Sequence, residues 1–298
     1  MKFLFAALLL GGLLCAYAAD GDALRKEFTE DKVRADRGVA EAEVAVGLHY
    51  SNGDGVAKDE DEALRWFRKA ADLGNARAQQ IMGTHYEIGW KGGGGVEKDF
   101  AQAVKWYRKA ADQGNATAQC FLGICYRNGE GVAQDRKEAV MWYRKSAAQG
   151  YATAQFCLGN AYYKGEGVAK DYGEAAKWYR KSAEQGYEDA QLELGECYQK
   201  GEGVTKDGAE AAKWFRKAAE QGLSDAQCDL GILYQRGDGV AKDYVEAYAW
   251  YEVASANLRT TDLHFSVLKL MSPQQIIDGE KRAKALEDKL AVVRKGRE

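Results

Sequence analysis

The chain has 298 residues, with 42 basic and 45 acidic side chains for a formal net charge of −3, so no bulk electrostatic pull toward nucleic acid or an anionic membrane is expected. Hydrophobic residues make up 46% of it, ample for a core, and 34 glycines against a single proline, Pro273, argue for an almost unbroken series of helices.

At the N-terminus, Lys2 precedes an apolar run from Phe3 to Leu14 and the small-x-small pattern Ala16-Tyr17-Ala18. This pattern predicts a signal peptide over residues 1–18, and with it a chain that is exported, periplasmic or secreted, and without an integral membrane segment after cleavage. Lipidation of Cys15 is disfavoured by the bulk of Leu14 before it. Five cysteines would remain, Cys120, Cys125, Cys157, Cys197 and Cys228. An odd number in an exported chain leaves open a dimer through an unpaired cysteine, and the absence of C-x-x-C argues against a zinc ribbon or a thioredoxin-type site.

From residue 38 onward the sequence is periodic. Trp66, Trp106, Trp142, Trp178, Trp214 and Trp250 are spaced by 40 and then four times by 36 residues, and Gly47, Gly83, Gly123, Gly159, Gly195 and Gly231 keep the same register. Periods of this size predict a solenoid of helical hairpins. The first helix of each unit carries Ala, Leu, Gly and Tyr on one stripe, as in Ala118, Leu122, Gly123 and Tyr126. A mid-helix glycine costs about 1 kcal/mol against alanine, so its recurrence implies a packing reason. A G-x-G-V loop follows, as in Gly165-Glu166-Gly167-Val168.

The second helices begin at Asp59, Asp99, Asp135, Asp171, Asp207 and Asp243, each with Glu or Gln three residues on. These are read as reciprocal capping boxes. Gly74, Gly114, Gly150, Gly186 and Gly222 close the helices, whereas Leu258 stands at the sixth position. Residues 19–37 are expected to form an N-terminal capping helix, 38–258 six repeats, and 259–298 C-terminal capping helices. Ser272-Pro273-Gln274-Gln275 supplies the start of the last helix.

The pattern A-x-x-x-L-G-x-x-Y-x-x-G-x-G-V-x-x-D-x-x-x-A-x-x-W-Y/F-R-K-A/S-A-x-x-G over residues 38–258 resembles the Sel-one-like repeat (SLR) family, relatives of tetratricopeptide repeats. The resemblance implies an all-α, right-handed superhelical solenoid of helix-turn-helix repeats that acts as a protein-binding scaffold, in bacteria as a regulator, an assembly scaffold or a host-interaction factor. A cysteine-rich branch implies an alternative, a β-lactam-binding or hydrolysing enzyme. That branch has two cysteines per repeat at fixed spacing, which this chain lacks.

Several features compete as candidate sites. The Trp-Tyr/Phe pairs lie on the packed stripe and are expected in the core. The Arg-Lys pairs that follow, such as Arg180-Lys181, are expected to be solvated charge near helix C-termini. His49, His85 and Cys125 occupy equivalent positions, as a stacked metal set would, with semi-buried filler as the favoured reading. No G-x-S-x-G, H-E-x-x-H or P-loop pattern is present, so neither catalytic residues nor a cofactor is expected.

By analogy with tetratricopeptide repeats, a protein or peptide partner would lie on the concave face, along exposed first-helix positions. Here these include Val44, Leu48, Ile81, Thr84, Phe121, Ile124, Phe156, Asn160, Tyr163, Glu193, Glu196 and Asp229. Such a groove would be apolar toward the N-terminus and acidic toward the C-terminus, unless the apolar members only complete the packing between repeats. Trp90, in the enlarged loop Gly89-Trp90-Lys91-Gly92-Gly93-Gly94-Gly95, is either a further contact or folded onto a neighbouring helix.

Overall fold

A computed structural model describes residues 21–89, 96–254 and 258–295. The expected signal peptide and Trp90 lie outside these residues. Among the described residues the secondary structure is helical, with no strand.

The chain forms two compact units, Met1–Ser146 and Ala147–Glu298. The first holds α1 (residues 21–35), α2 (Ala40–Asn52), α3 (Glu60–Asp72), α4 (Ala76–Ile88), α5 (Phe100–Asp112), α6 (Ala116–Asn128) and most of α7 (Arg136–Ala148). The second holds α8 (Ala152–Lys164), α9 (Tyr172–Glu184), α10 (Glu188–Lys200), α11 (Gly208–Glu220), α12 (Ser224–Arg236), α13 (Tyr244–Val253), α14 (Leu258–Leu268) and α15 (Pro273–Lys295). Helices adjacent in sequence pack together from α2 to α6 and from α8 to α14, and α15 packs on α13.

Each repeat is held by a ring laid on the marker glycine. A Cβ on Gly83 would meet the Tyr107 ring at 2.5 Å, and one on Gly195 would meet Phe215 at 2.6 Å. That is closer than carbon atoms can approach, so the stripe admits only glycine while the aromatic stays. The loop glycines serve a second approach. Gly131, at φ 68°, brings its backbone onto the Phe100 carbonyl at the start of α5, where a side chain would have no room. Gly55 does the same against Leu24 of α1, so α1 takes the place of a second helix ahead of the first repeat.

The expected capping boxes form by half. Asp59 Oδ1 accepts the Glu62 N–H at 2.9 Å, Asp171 Oδ1 accepts the Glu174 N–H at 3.0 Å, and the other four aspartates cap in the same way. The return bond is not made at Asp59 or Asp135. Their N–H groups donate at 2.9 Å to the Tyr50 and Tyr126 carbonyls of the preceding helices, which leaves the glutamates available. Glu62 and Glu138 turn instead to the indole N–H of Trp66 and Trp142, at 3.1 and 3.0 Å. Among the described residues, Ser272 and Gln275 at the start of α15 complete both halves of a box, at 2.9 and 3.3 Å.

Candidate functional site

Burial decides which residues are available to a partner. The Trp-Tyr/Phe pairs are core: Trp66, Trp106, Trp142, Trp214 and Trp250 are buried, as are Phe67, Tyr107, Tyr143, Tyr179, Phe215 and Tyr251, while Trp178 is half-buried.

The lysines of the Arg-Lys pairs are exposed, as expected of solvated charge, but the arginines are tied to a neighbouring helix. Arg68 Nη2 donates to the Tyr86 hydroxyl at 2.9 Å and Arg180 Nη2 to Tyr198 at 2.5 Å, with Arg108–Tyr126 and Arg216–Tyr234 making the same bond. Each arginine therefore locks the first helix that follows it. The lysines Lys69, Lys109, Lys145, Lys181 and Lys217 cover the indoles of their own repeats at 3.9–4.1 Å from the ring centroids. A second feature is the glutamine that follows the first-helix alanine in repeats two to six. Gln79, Gln119, Gln191 and Gln227 are buried and donate to the carbonyls of Ala71, Ala111, Ala183 and Ala219 at 3.0–3.1 Å. Spacing alone could not distinguish them from solvent-facing glutamines.

The first-helix face is what remains. In the first unit, Ile81, Thr84, Phe121 and Ile124 are half-buried, as is Leu48, whereas Val44 is 4% exposed and belongs to the core. Phe121 stacks on Tyr107 with centroids 5.4 Å apart, and the Tyr107 hydroxyl reaches Thr84 at 3.2 Å and also Glu87. Burial first, and the Glu87 carboxylate second, push the Tyr107 phenol well up. In the second unit, Phe156, Asn160, Tyr163, Glu193 and Glu196 are half-buried. Asp229 is 7% exposed, so the acidic end of the expected surface stops at Glu196.

Aromatic rings and acids share this part of the second unit. Phe156 lies 5.2 Å from Tyr187 and 6.0 Å from Tyr179, and Tyr163 lies 5.1 Å from Tyr172. Tyr179 donates to Asn160 Oδ1 and Tyr163 to Glu202 Oε2, both at 2.7 Å. Glu196 holds Lys200, while Glu193 has its carboxyl pushed up by burial and then by the Glu196 charge. The patch therefore offers ring faces with carboxylates beside them, an arrangement suited to a cationic or aromatic side chain.

The cysteines and histidines bear on two chemical options. Cys120, Cys125, Cys157, Cys197 and Cys228 are all buried, so none presents a surface thiol for the dimer that their odd number leaves open. Burial pushes the Cys125 and Cys197 thiols up to about 12, the opposite of what a nucleophile needs. Nor are His49, His85 and Cys125 brought together as ligands. The only cluster with metal-ligand spacing among the described residues joins His49 to Glu27 and Asp31.

Comparison with known proteins gives this architecture its family. The Sel1 repeat profile matches six consecutive segments, 40–75, 76–115, 116–151, 152–187, 188–223 and 224–257. The chain belongs to the Sel1 repeat family. Its array is similar to a Sel1 repeat protein from Oxalobacter formigenes at 34% identity, over 84% of this chain and 97% of that one, with a TM-score of 0.70. It is also similar to c5321, a protective antigen with an SLR fold in uropathogenic Escherichia coli, at 30% identity over 90% and 80% of the two chains and a TM-score of 0.46. The cysteine-rich protein B of Helicobacter pylori matches at 29% identity over 45% of this chain and 97% of its own, with a TM-score of 0.36. No curated protein sequence matches. The Sel1 array is thus an all-α solenoid of helical hairpins, a fold that typically serves as a protein-interaction scaffold. No helix among the described residues is long and apolar enough to cross a membrane.

Proposed function

We propose that this Sel1 protein is an exported scaffold, periplasmic or secreted, that captures a segment of another protein along the first-helix face of its repeats. It would serve there as a regulator, an assembly scaffold or a host-interaction factor. The observation that carries the reading is the division of labour between the two helix types. The second helices bury their Trp-Tyr/Phe pairs, whereas Ile81, Thr84, Phe121 and Ile124 in one unit and Phe156, Asn160, Tyr163, Glu193 and Glu196 in the other keep part of their surface open. These are also the positions at which the repeats differ, as selection for a partner rather than for stacking requires.

Binding without chemistry fits the cysteines better than the β-lactam alternative does, since thiols held near 12 supply almost no thiolate at neutral pH. The test is affinity capture from the exporting organism with intact protein, with Phe121→Asp plus Phe156→Asp, and with Glu193→Gln plus Glu196→Gln. The second pair leaves the aromatic packing untouched. Loss of the same partner from both folded variants supports the face; retention of every partner by both overturns it. Nitrocefin turnover by the purified protein would overturn the non-enzymatic reading.

A further inference from the structure

We infer that Glu27, Asp31 and His49 form a divalent-metal site of the zinc class, clamping α1 to the first repeat. Glu27 and Asp31 are four residues apart on α1 and so share one face, and His49 approaches from α2. One ligand atom from each of the three lies within 4.8 Å of the other two. The imidazole is 8% exposed, and the Phe28 ring packs edge-on against it at 5.6 Å.

The hydrogen bonds around the cluster fix what it presents. His49 Nδ1 lies 2.8 Å from the Asp54 carbonyl oxygen, which can only accept, so Nδ1 carries the proton and donates. In the neutral ring Nε2 is then a bare lone pair, aimed at Asp31 Oδ2 3.5 Å away. Arg34 Nη1 holds the other oxygen, Oδ1, at 3.2 Å, which turns Oδ2 toward the ring. An imidazole whose far nitrogen donates to a backbone carbonyl, and a carboxylate oriented by an outer partner, are the usual supports of metal ligands.

Two ligand atoms about 2.1 Å from one ion subtend a near-tetrahedral angle when they are roughly 3.5 Å apart, which is the separation present. One imidazole with two carboxylates suits a borderline ion such as Zn2+, with water completing the set, better than Ca2+ or Mg2+, which require six or more oxygens. Glu27 is exposed and can rotate to close the remaining distance.

Isothermal titration of untagged intact chain with zinc sulfate tests this, with calcium chloride as comparator. The expected result is one zinc per chain, with affinity falling about tenfold or more in Glu27→Gln and about a hundredfold in Asp31→Asn. Glu30→Gln, on the same helix but outside the cluster, should bind as the parent does. Glu27→Gln alters only an exposed side chain, so its loss of affinity is not a loss of fold. No zinc binding by the parent, zinc binding that survives both ligand substitutions, or a preference for calcium would each overturn the assignment.

Discussion

Gln113 donates its side-chain amide to Gln79 Oε1 at 2.8 Å, and Gln79 in turn donates to the Ala71 carbonyl at 3.1 Å. The relay links both helices of the second repeat to the helix before them. It recurs in the second unit as Gln221 to Gln191 to the Ala183 carbonyl, at 2.8 and 3.1 Å. A buried relay of this kind is stable only where every donor meets an acceptor.

The first repeat breaks the rule, and there a substitution should stabilise. Glu43 stands in the register of Gln79, eight residues after Ala35 as Gln79 is eight after Ala71, and Leu73 stands where Gln113 would be. Glu43 is buried, its Oε2 has no hydrogen-bond partner among the described residues, and burial raises its carboxyl above 4.5 against the opposing pull of Lys69. A carboxyl whose pKa is raised by folding is bound to its proton more often in the fold than in the unfolded chain. Stability therefore falls as pH rises from the ordinary glutamate value through the folded one. Glu43→Gln removes that loss and supplies a donor for the Ala35 carbonyl, a gain of roughly 1–3 kcal/mol near neutral pH. In melts from pH 3 to pH 8, the variant's advantage in Tm should be largest at neutral pH and shrink toward acid; an advantage independent of pH would refute the burial argument.

The marker glycine supports a prediction of opposite sign. Gly83→Ala should gain about 1 kcal/mol of helix propensity, yet its methyl would lie 2.5 Å from the Tyr107 ring. Overpacking of this kind costs about 1–3 kcal/mol, so the variant should be the less stable one. Chemical denaturation of the single variant and of Gly83→Ala with Tyr107→Leu separates the two effects. If the smaller partner does not recover stability, the ring is not what excludes the alanine.

These cases show which parts of the structure the sequence displays. Periodicity locates every helix pair, because Trp and Gly recur in a register that only stacked hairpins satisfy. It also marks Trp142 as core, since aromatics at helical spacing are normally buried. Partner choice is another matter, because a side chain's hydrogen bond depends on which neighbours the tertiary packing brings within reach. Asp135 looks the same in sequence whether Glu138 bonds back to it or, as here, to Trp142. Arg180 looks the same whether it is solvated or bound to Tyr198, eighteen residues away. The expected binding face fails at Asp229 and Val44 because its register, taken from tetratricopeptide repeats, assumes exposure at positions that neighbouring helices cover.

The Arg180–Tyr198 bond itself is measurable. Arg180→Met and Tyr198→Phe should each destabilise the second unit, and a double-mutant cycle should return a coupling of about 1–2 kcal/mol, as for a hydrogen bond to a charged donor. Methionine keeps most of the apolar stem, so the cycle isolates the head group. Additive effects would mean that the arginine acts only through packing.

The last prediction concerns the thiols, and it separates burial from pairing. With Cys125 and Cys197 pushed up to about 12, only about one in ten thousand of either is thiolate at pH 8 even before access is considered. Dithionitrobenzoate should therefore titrate these thiols in the folded protein only over hours, at a rate set by local opening of the repeats. In denaturant both should react within seconds. Non-reducing electrophoresis of protein oxidised while folded should show monomer, and protein oxidised in denaturant should show crosslinked species. A rapid burst of labelling at native pH, or a disulfide-linked dimer formed without denaturant, would mean that a repeat opens readily enough to make a redox-driven dimer a working state of the molecule.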